Sequence, residues 1–245
     1  MDPKGKAALI NGGARVGAAV VRALAARGCA VAVTWRGSRE AAERSVEEAR
    51  RAGVPAQAFQ ADARDEADVA RAVQGAVSAF RRLDILVNMA STYVRAPLES
   101  LDGAAWQEAI DSNARGAYLF SLAAAPHLRK EGAGRIVNFA DWLPASGRPR
   151  YTGYLPYYVG KGAVVSLTES LALELAPDIL VNAVAPGPIV PPPDLTPEEN
   201  ARVVAATPLR RWGGAEEMAK AVLFLVETDF VTGECIRADG GRHLY

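Results

Sequence analysis

Tyr157 and Lys161 are the pair in this chain whose types and spacing can do acid/base chemistry. Pro156, at a first-turn position, puts them on one face of a helix that begins there. A free tyrosine keeps its proton to a pH of about 10, and a neighbouring ammonium favours the phenolate and draws that value toward neutrality. Such a tyrosine donates or accepts a proton during a reaction. Tyr-x-x-x-Lys alone is a common surface pattern, so the elements that position it have to decide.

Apolar runs alternate with amphipathic ones along the chain. Residues 6–11 (KAALIN) predict a buried strand, followed by a glycine-bearing turn at 12–17 and an alanine-rich helix to about 27. Residues 30–35 predict a second strand, and Ser38 caps a charged helix ending near 53. Further strands are expected at 56–61, 83–88, 135–140, 179–183 and 234–238, with helices at 65–81, 103–110, 113–130, 157–176 and 216–227. Apolar strands separated by helices imply parallel strands covered on both faces. Right-handed crossovers then give an α/β fold, a single-domain Rossmann-type doubly wound parallel sheet of about seven strands over residues 1–245. Ligands in such sheets bind beyond the carboxyl ends of the strands, so chemistry is sought in the turns that follow them. The proline-rich segment 185–210 contains a helix start, Thr196-Pro197-Glu198-Glu199. It reads either as a stiff substrate flap or as a loop crossing the surface.

Composition narrows the function classes. Lysine plus arginine equal aspartate plus glutamate at 28 each, which gives no global field to draw in nucleic acid or an anionic membrane. No apolar run approaches the roughly 18 residues of a membrane span, so a cytoplasmic enzyme is expected. Cys29, Cys235, His127 and His243 are scattered and suggest no metal site.

The turn holding Gly12, Val16 and Gly17 opens the first helix, where unpaired N–H groups and the helix dipole suit a pyrophosphate. At the end of the second strand an NAD enzyme usually presents an acid to the ribose 2'-hydroxyl. Here Arg36, Gly37 and Ser38 stand instead, with Arg15 in reach, which suits the 2'-phosphate and hence NADPH/NADP.

Residues 12–17, Asp62, Asn88-Met89-Ala90, Asn113, Tyr157 with Lys161, Pro186-Gly187 and Asp239-Gly240-Gly241 occur in an order that resembles the short-chain dehydrogenases/reductases over essentially the whole chain. That resemblance implies Tyr157 as acid/base, Lys161 tuning it and holding the nicotinamide ribose, and Asn113 in a proton relay. It also implies cofactor contacts from Asp62, Ala63, Asn88, Ala90, Ser91, Pro186, Gly187 and Ile189. Two departures stand out: Asn11 replaces the usual threonine in a glycine-rich turn one residue short, and Asp141 stands where the family usually has a serine. An ionised carboxylate opposes the charge developing on a ketone oxygen but suits a protonated ring nitrogen. Asp141, with Ser91 and Tyr93 after the fourth strand and Arg15 in the glycine-rich turn, is similar to the pteridine reductase branch.

The leading expectation is therefore hydride transfer from NADPH to a C=N bond of a dihydropterin or dihydrofolate. Tyr157 would be the proton donor, with Arg15, Ser91, Tyr93 and Asp141 around the ring. The alternative keeps the class and takes a carbonyl substrate such as a 3-oxoacyl thioester or a sugar; a third reading is a non-catalytic NADP-binding regulator. The predicted helices at 113–130 and 157–176 are apolar on more than one face, which a single sheet cannot cover, and a homotetramer is expected.

Overall fold

A computed structural model describes residues 1–12, 16–148 and 150–244. In chain order the elements are β1 (Ala7–Asn11), α1 (Gly17–Ala26), β2 (Ala30–Trp35), α2 (Arg39–Arg51), β3 (Ala56–Gln60), α3 (Glu66–Phe80) and β4 (Ile85–Asn88). They continue with α4 (Gly103–Ile110), α5 (Gly116–Lys130), β5 (Gly134–Phe139), α6 (Trp142–Ser146), α7 (Leu155–Leu175), β6 (Ile179–Pro186), α8 (Pro197–Ala205), α9 (Ala215–Glu227) and β7 (Cys235–Ala238). The seven strands lie in the order β3-β2-β1-β4-β5-β6-β7, all parallel. This is the doubly wound single-domain sheet expected from the alternation of apolar runs.

Period-2 geometry splits each strand between two cores. Ala8, Ile10, Ile85, Val87 and Val137 face one way, toward α1, α2 and α9, while Leu9, Leu86 and Ile136 face α3, α5 and α7. With both faces buried, an alternating polar residue would be left without water, which is why the strands read as continuous apolar runs.

A row of polar residues lies at the carboxyl ends of β1, β2, β4 and β5. Thr34, Asn11, Asn88 and Asn138 stand in one register across β2, β1, β4 and β5. Thr34 Oγ1 donates to Asn11 Oδ1 at 3.1 Å, Asn88 Nδ2 to Asn138 Oδ1 at 2.9 Å, and Asn138 Nδ2 to Thr168 Oγ1 at 3.0 Å. This polar row ties the strand ends together under the turns that carry the chemistry.

Several boundaries differ from the expectation. The predicted helices at 103–110 and 113–130 form one run through a π-helical turn, Asp111–Arg115, which carries Asn113. A one-residue insertion of this kind is a common way to turn a side chain inward. β6 reaches Pro186, and a short helix, α6, occupies what was expected to be loop after β5. Ser38 stands at the start of α2 but makes no side-chain cap. In the segment 185–210, α8 carries the expected capping box, Thr196 with Glu199. The indole of Trp212 donates to Asn200 at 2.8 Å and pins that helix to the following loop. No described helix is long and apolar enough to cross a membrane.

Candidate active site

The ends of β1, β2 and β4 open a groove of about 710 Å³ at the point where the strand order reverses. Its wall includes Gly12, Val16, Gly17, Arg36, Gly37, Ser38, Asp62, Ala63, Ala90, Ser91 and Tyr93, all singled out in the sequence. Arg15 lies outside the described residues. Gly12 has φ +77°, and a Cβ there would meet the Ala90 backbone at 2.6 Å, so β1 and β4 close on each other only through glycine. Asp62 is held by Arg64, whose Nη2 donates at 2.6 Å, and that hydrogen-bonded guanidinium brings the carboxyl down to about 2. Arg36 stands 3.7 Å from the same carboxylate and is half exposed at the mouth.

The reactive side chains meet beyond β5 and at the start of α7. The β5 exit extends into Asp141, which caps α6 by accepting from Leu143 N at 2.8 Å. Its other oxygen, Oδ2, accepts from the Tyr157 hydroxyl at 2.9 Å. Pro156 sits in the first turn of α7 and fixes the approach of Tyr157, which is 8% exposed. Lys161, one turn on, is buried and its Nζ donates to the Phe139 carbonyl at 2.6 Å. From the π turn, Asn113 Nδ2 donates to the carbonyls of Ala109 at 2.8 Å and Thr92 at 3.2 Å, and its Oδ1 accepts from Ser91 Oγ at 2.6 Å.

Electrostatics here departs from the expectation for the tyrosine. Burial first, then the Asp141 charge and hydrogen bond, push Tyr157 well above its usual range. Burial likewise raises Asp141, opposed by its hydrogen bonds from Leu143 and Tyr157 and by Lys161. Lys161 falls to about 8 because burial disfavours its charge, and Asp141 only partly offsets this. In the free protein burial, ahead of the Asp141 charge, thus outweighs any pull of the lysine on the tyrosine.

Other residues settle differently from the sequence reading. Asn88 turns away from the groove, donating to Asn138, Ser121 and Ala117, so its role is to join β4, β5 and α5. Pro186 and Gly187 end β6; a Cβ at Gly187 would lie 2.4 Å from Asp239 Cβ, so close packing against the turn after β7 requires the glycine. Ile189 lines a separate cavity of about 90 Å³ with Leu209 and Gly240 rather than the groove. Tyr93, still 56% exposed, stacks one face on Tyr154 with centroids 4.5 Å apart and meets Tyr157 edge-on at 4.7 Å. Tyr154, Arg64, Thr92 and Trp142 were missed, since nothing local in the sequence marks partners supplied by distant loops.

The groove fits a dinucleotide. Asn11 lines it with a buried Nδ2 that has no partner among the described residues, Gly12 permits close backbone approach, and α1 begins at its floor. A nicotinamide cofactor held there would supply hydride, and Gly12, Gly17, Asp62 and Ala63 are the groove residues that would hold it.

Comparison with known proteins agrees with this architecture. A family model described as enoyl-(acyl carrier protein) reductase matches residues 13–243. The 3-oxoacyl-[acyl-carrier-protein] reductase FabG of Staphylococcus aureus is 35% identical over 98% of both chains. Among solved structures, a short-chain dehydrogenase/reductase from Serratia marcescens superposes with TM-score 0.91 at 34% identity, covering 99% of this chain and 100% of that one. An NADPH-dependent 3-quinuclidinone reductase from Rhodotorula rubra gives TM-score 0.92 at 26% identity, covering 100% and 93%.

Proposed function

This chain belongs to the short-chain dehydrogenase/reductase family, and from that premise we propose that it is an NADPH-dependent reductase of a carbonyl substrate of the 3-oxoacyl type, with Tyr157 as proton donor. The observation that carries the reading is the Tyr157 hydroxyl, buried, protonated and held at 2.9 Å by Asp141 beside the groove. The 35% identity to a 3-oxoacyl reductase supports a ketone over the pterin ring first expected. Asp141 is compatible with a ketone when its carboxyl is neutral, since a protonated acid donates a hydrogen bond to the oxygen as a serine hydroxyl does. Burial favours that form. Arg36 and Ser38, with no acid at the end of β2, support NADPH over NADH.

A dihydropterin or dihydrofolate is the second reading, favoured by Asp141 in its ionised form together with Ser91 and Tyr93 at the mouth. Tyr154 stacks on one face of Tyr93, so a ring that used that face would require the two tyrosines to part. Initial rates with acetoacetyl pantetheine and dihydrobiopterin, each with NADPH and with NADH, test both readings. The carbonyl reading predicts thioester turnover with NADPH preferred by about tenfold or more, the scale of a charge-assisted phosphate contact. Turnover of the pterin alone would replace it with the second reading, and equal use of NADH would remove Arg36 as the selector.

The reading includes a homotetramer. Tyr118 and Leu122 on α5 and Leu155, Val159 and Leu173 on α7 are exposed apolar side chains, with Leu173 82% exposed. Sizing with light scattering at micromolar concentration is expected to give four copies, and a monomer overturns it.

A further inference from the structure

Next to Asp141, the buried Trp142 carries two guanidiniums on its ring, Arg150 at 5.5 Å and Arg242 at 5.8 Å from the centroid. Many of the arginines are neutralised: Arg22, Arg64, Arg82 and Arg135 each meet a carboxylate. Around Trp142 unpaired arginines gather on one ring. Arg148, Arg150, Arg237 and Arg242 have no ion pair with the described residues, and three of them spend a donor on a main-chain carbonyl, those of His243, Ala145 and Ala206. The Nε atoms of Arg150 and Arg242 are buried without a partner among the described residues, as is the hydroxyl of Tyr158. The two acids nearby are committed: Asp141 to Leu143 N and Tyr157, Asp239 to Gly241 N and His243.

Two like charges on one ring, each with an unused buried donor, are costly unless an anion joins them. A guanidinium fork matches a carboxylate or phosphate, and the indole face holds both forks in place by cation–π attraction. The subsite is also joined to the reactive centre. Trp142 follows Asp141, which accepts from the Tyr157 hydroxyl at 2.9 Å, and Arg242 Nη2 donates to Tyr151 Oη at 3.5 Å.

We propose that Arg150 and Arg242, seated on Trp142, bind an anionic group, carboxylate or phosphate, at the end of the substrate remote from its reacting carbon. This rests on the reductase reading of Tyr157 and deepens it by assigning the substrate a charged tail.

The test compares substrates that share a reacting group and differ in the tail. One pair is dihydrofolate against dihydrobiopterin, for a carboxylate; the other is acetoacetyl pantetheine 4'-phosphate against acetoacetyl pantetheine, for a phosphate. The ratio of kcat/KM, charged over neutral, is measured for the unaltered enzyme, Arg150→Gln, Arg242→Gln and Arg242→Lys. We expect a ratio of about ten or more in one pair, a drop of about tenfold through KM in each glutamine variant, and partial recovery with lysine. The responding pair identifies the anion. A ratio near one in both pairs, or one that the glutamine variants leave unchanged, overturns the subsite while the reductase reading stands. If neither pair turns over, the substrate reading falls, and calorimetric titration of the NADPH-loaded protein with N-benzoylglutamate and with pantetheine 4'-phosphate decides the subsite separately. Saturable binding lost in Arg150→Gln and Arg242→Gln upholds it; no binding ends it.

Discussion

Tyr157→Phe is expected to lower kcat by about a thousandfold while changing NADPH affinity by less than about fivefold. The substitution removes one oxygen, the donor of the 2.9 Å hydrogen bond to Asp141, and leaves the ring in its pocket. General-acid catalysis by a positioned side chain contributes about 10²–10⁴-fold, and no other described hydroxyl that contacts Asp141 replaces it. Burial and the neighbouring carboxylate keep the tyrosine protonated across the neutral range, which is the form reduction requires. The reverse reaction needs the phenolate, so alcohol oxidation is expected to be slow at neutral pH and to climb with rising pH. Steady-state rates in both directions, with NADPH affinity from fluorescence quenching, check this. A phenylalanine variant retaining more than about a tenth of the rate would remove Tyr157 as the donor.

The sheet was legible because its inner strands are buried on both faces and so read as apolar runs, and glycine, proline and charge marked the joints. Where an element is short or irregular, that signal disappears. α6 spans only Trp142–Ser146 and contains Pro144, so no helical period can develop. The π turn at Asp111–Arg115 inserts a residue without changing composition, so Asn113 seemed to begin a new helix. The site was readable as residue types after strand ends, but its pairings were not. Arg64 on Asp62 and Tyr154 on Tyr93 depend on how loops from different crossovers approach. The same limit explains Lys161: spacing placed it beside Tyr157, whereas the charge that governs the tyrosine belongs to Asp141, sixteen positions earlier in the chain and adjacent in space.

Asp141→Ser is expected to raise kcat/KM for the ketone about tenfold at neutral pH and to lower pterin reduction, if present, about a hundredfold. In the unaltered enzyme the neutral carboxyl donates to the ketone oxygen and the carboxylate repels it, so ketone turnover should decline as pH rises through the Asp141 titration. Serine carries no such titration and should flatten that limb. Asp141→Asn separates activity from stability, because an amide keeps an acceptor for Leu143 N or the Tyr157 hydroxyl without a titrating proton. The folded-state pKa of Asp141 lies above its unfolded value, so the folded protein holds this proton more tightly. The resulting stability is complete below the unfolded value of about 4 and is lost as pH rises through the folded one. Asp141→Asn should therefore melt above the unaltered protein at pH 7, with the gap closing toward pH 4. A gap that does not vary with pH would mean that Asp141 is ionised in the folded state throughout. The carboxylate would then favour a protonated ring nitrogen over a ketone oxygen, and the two substrate readings would change places.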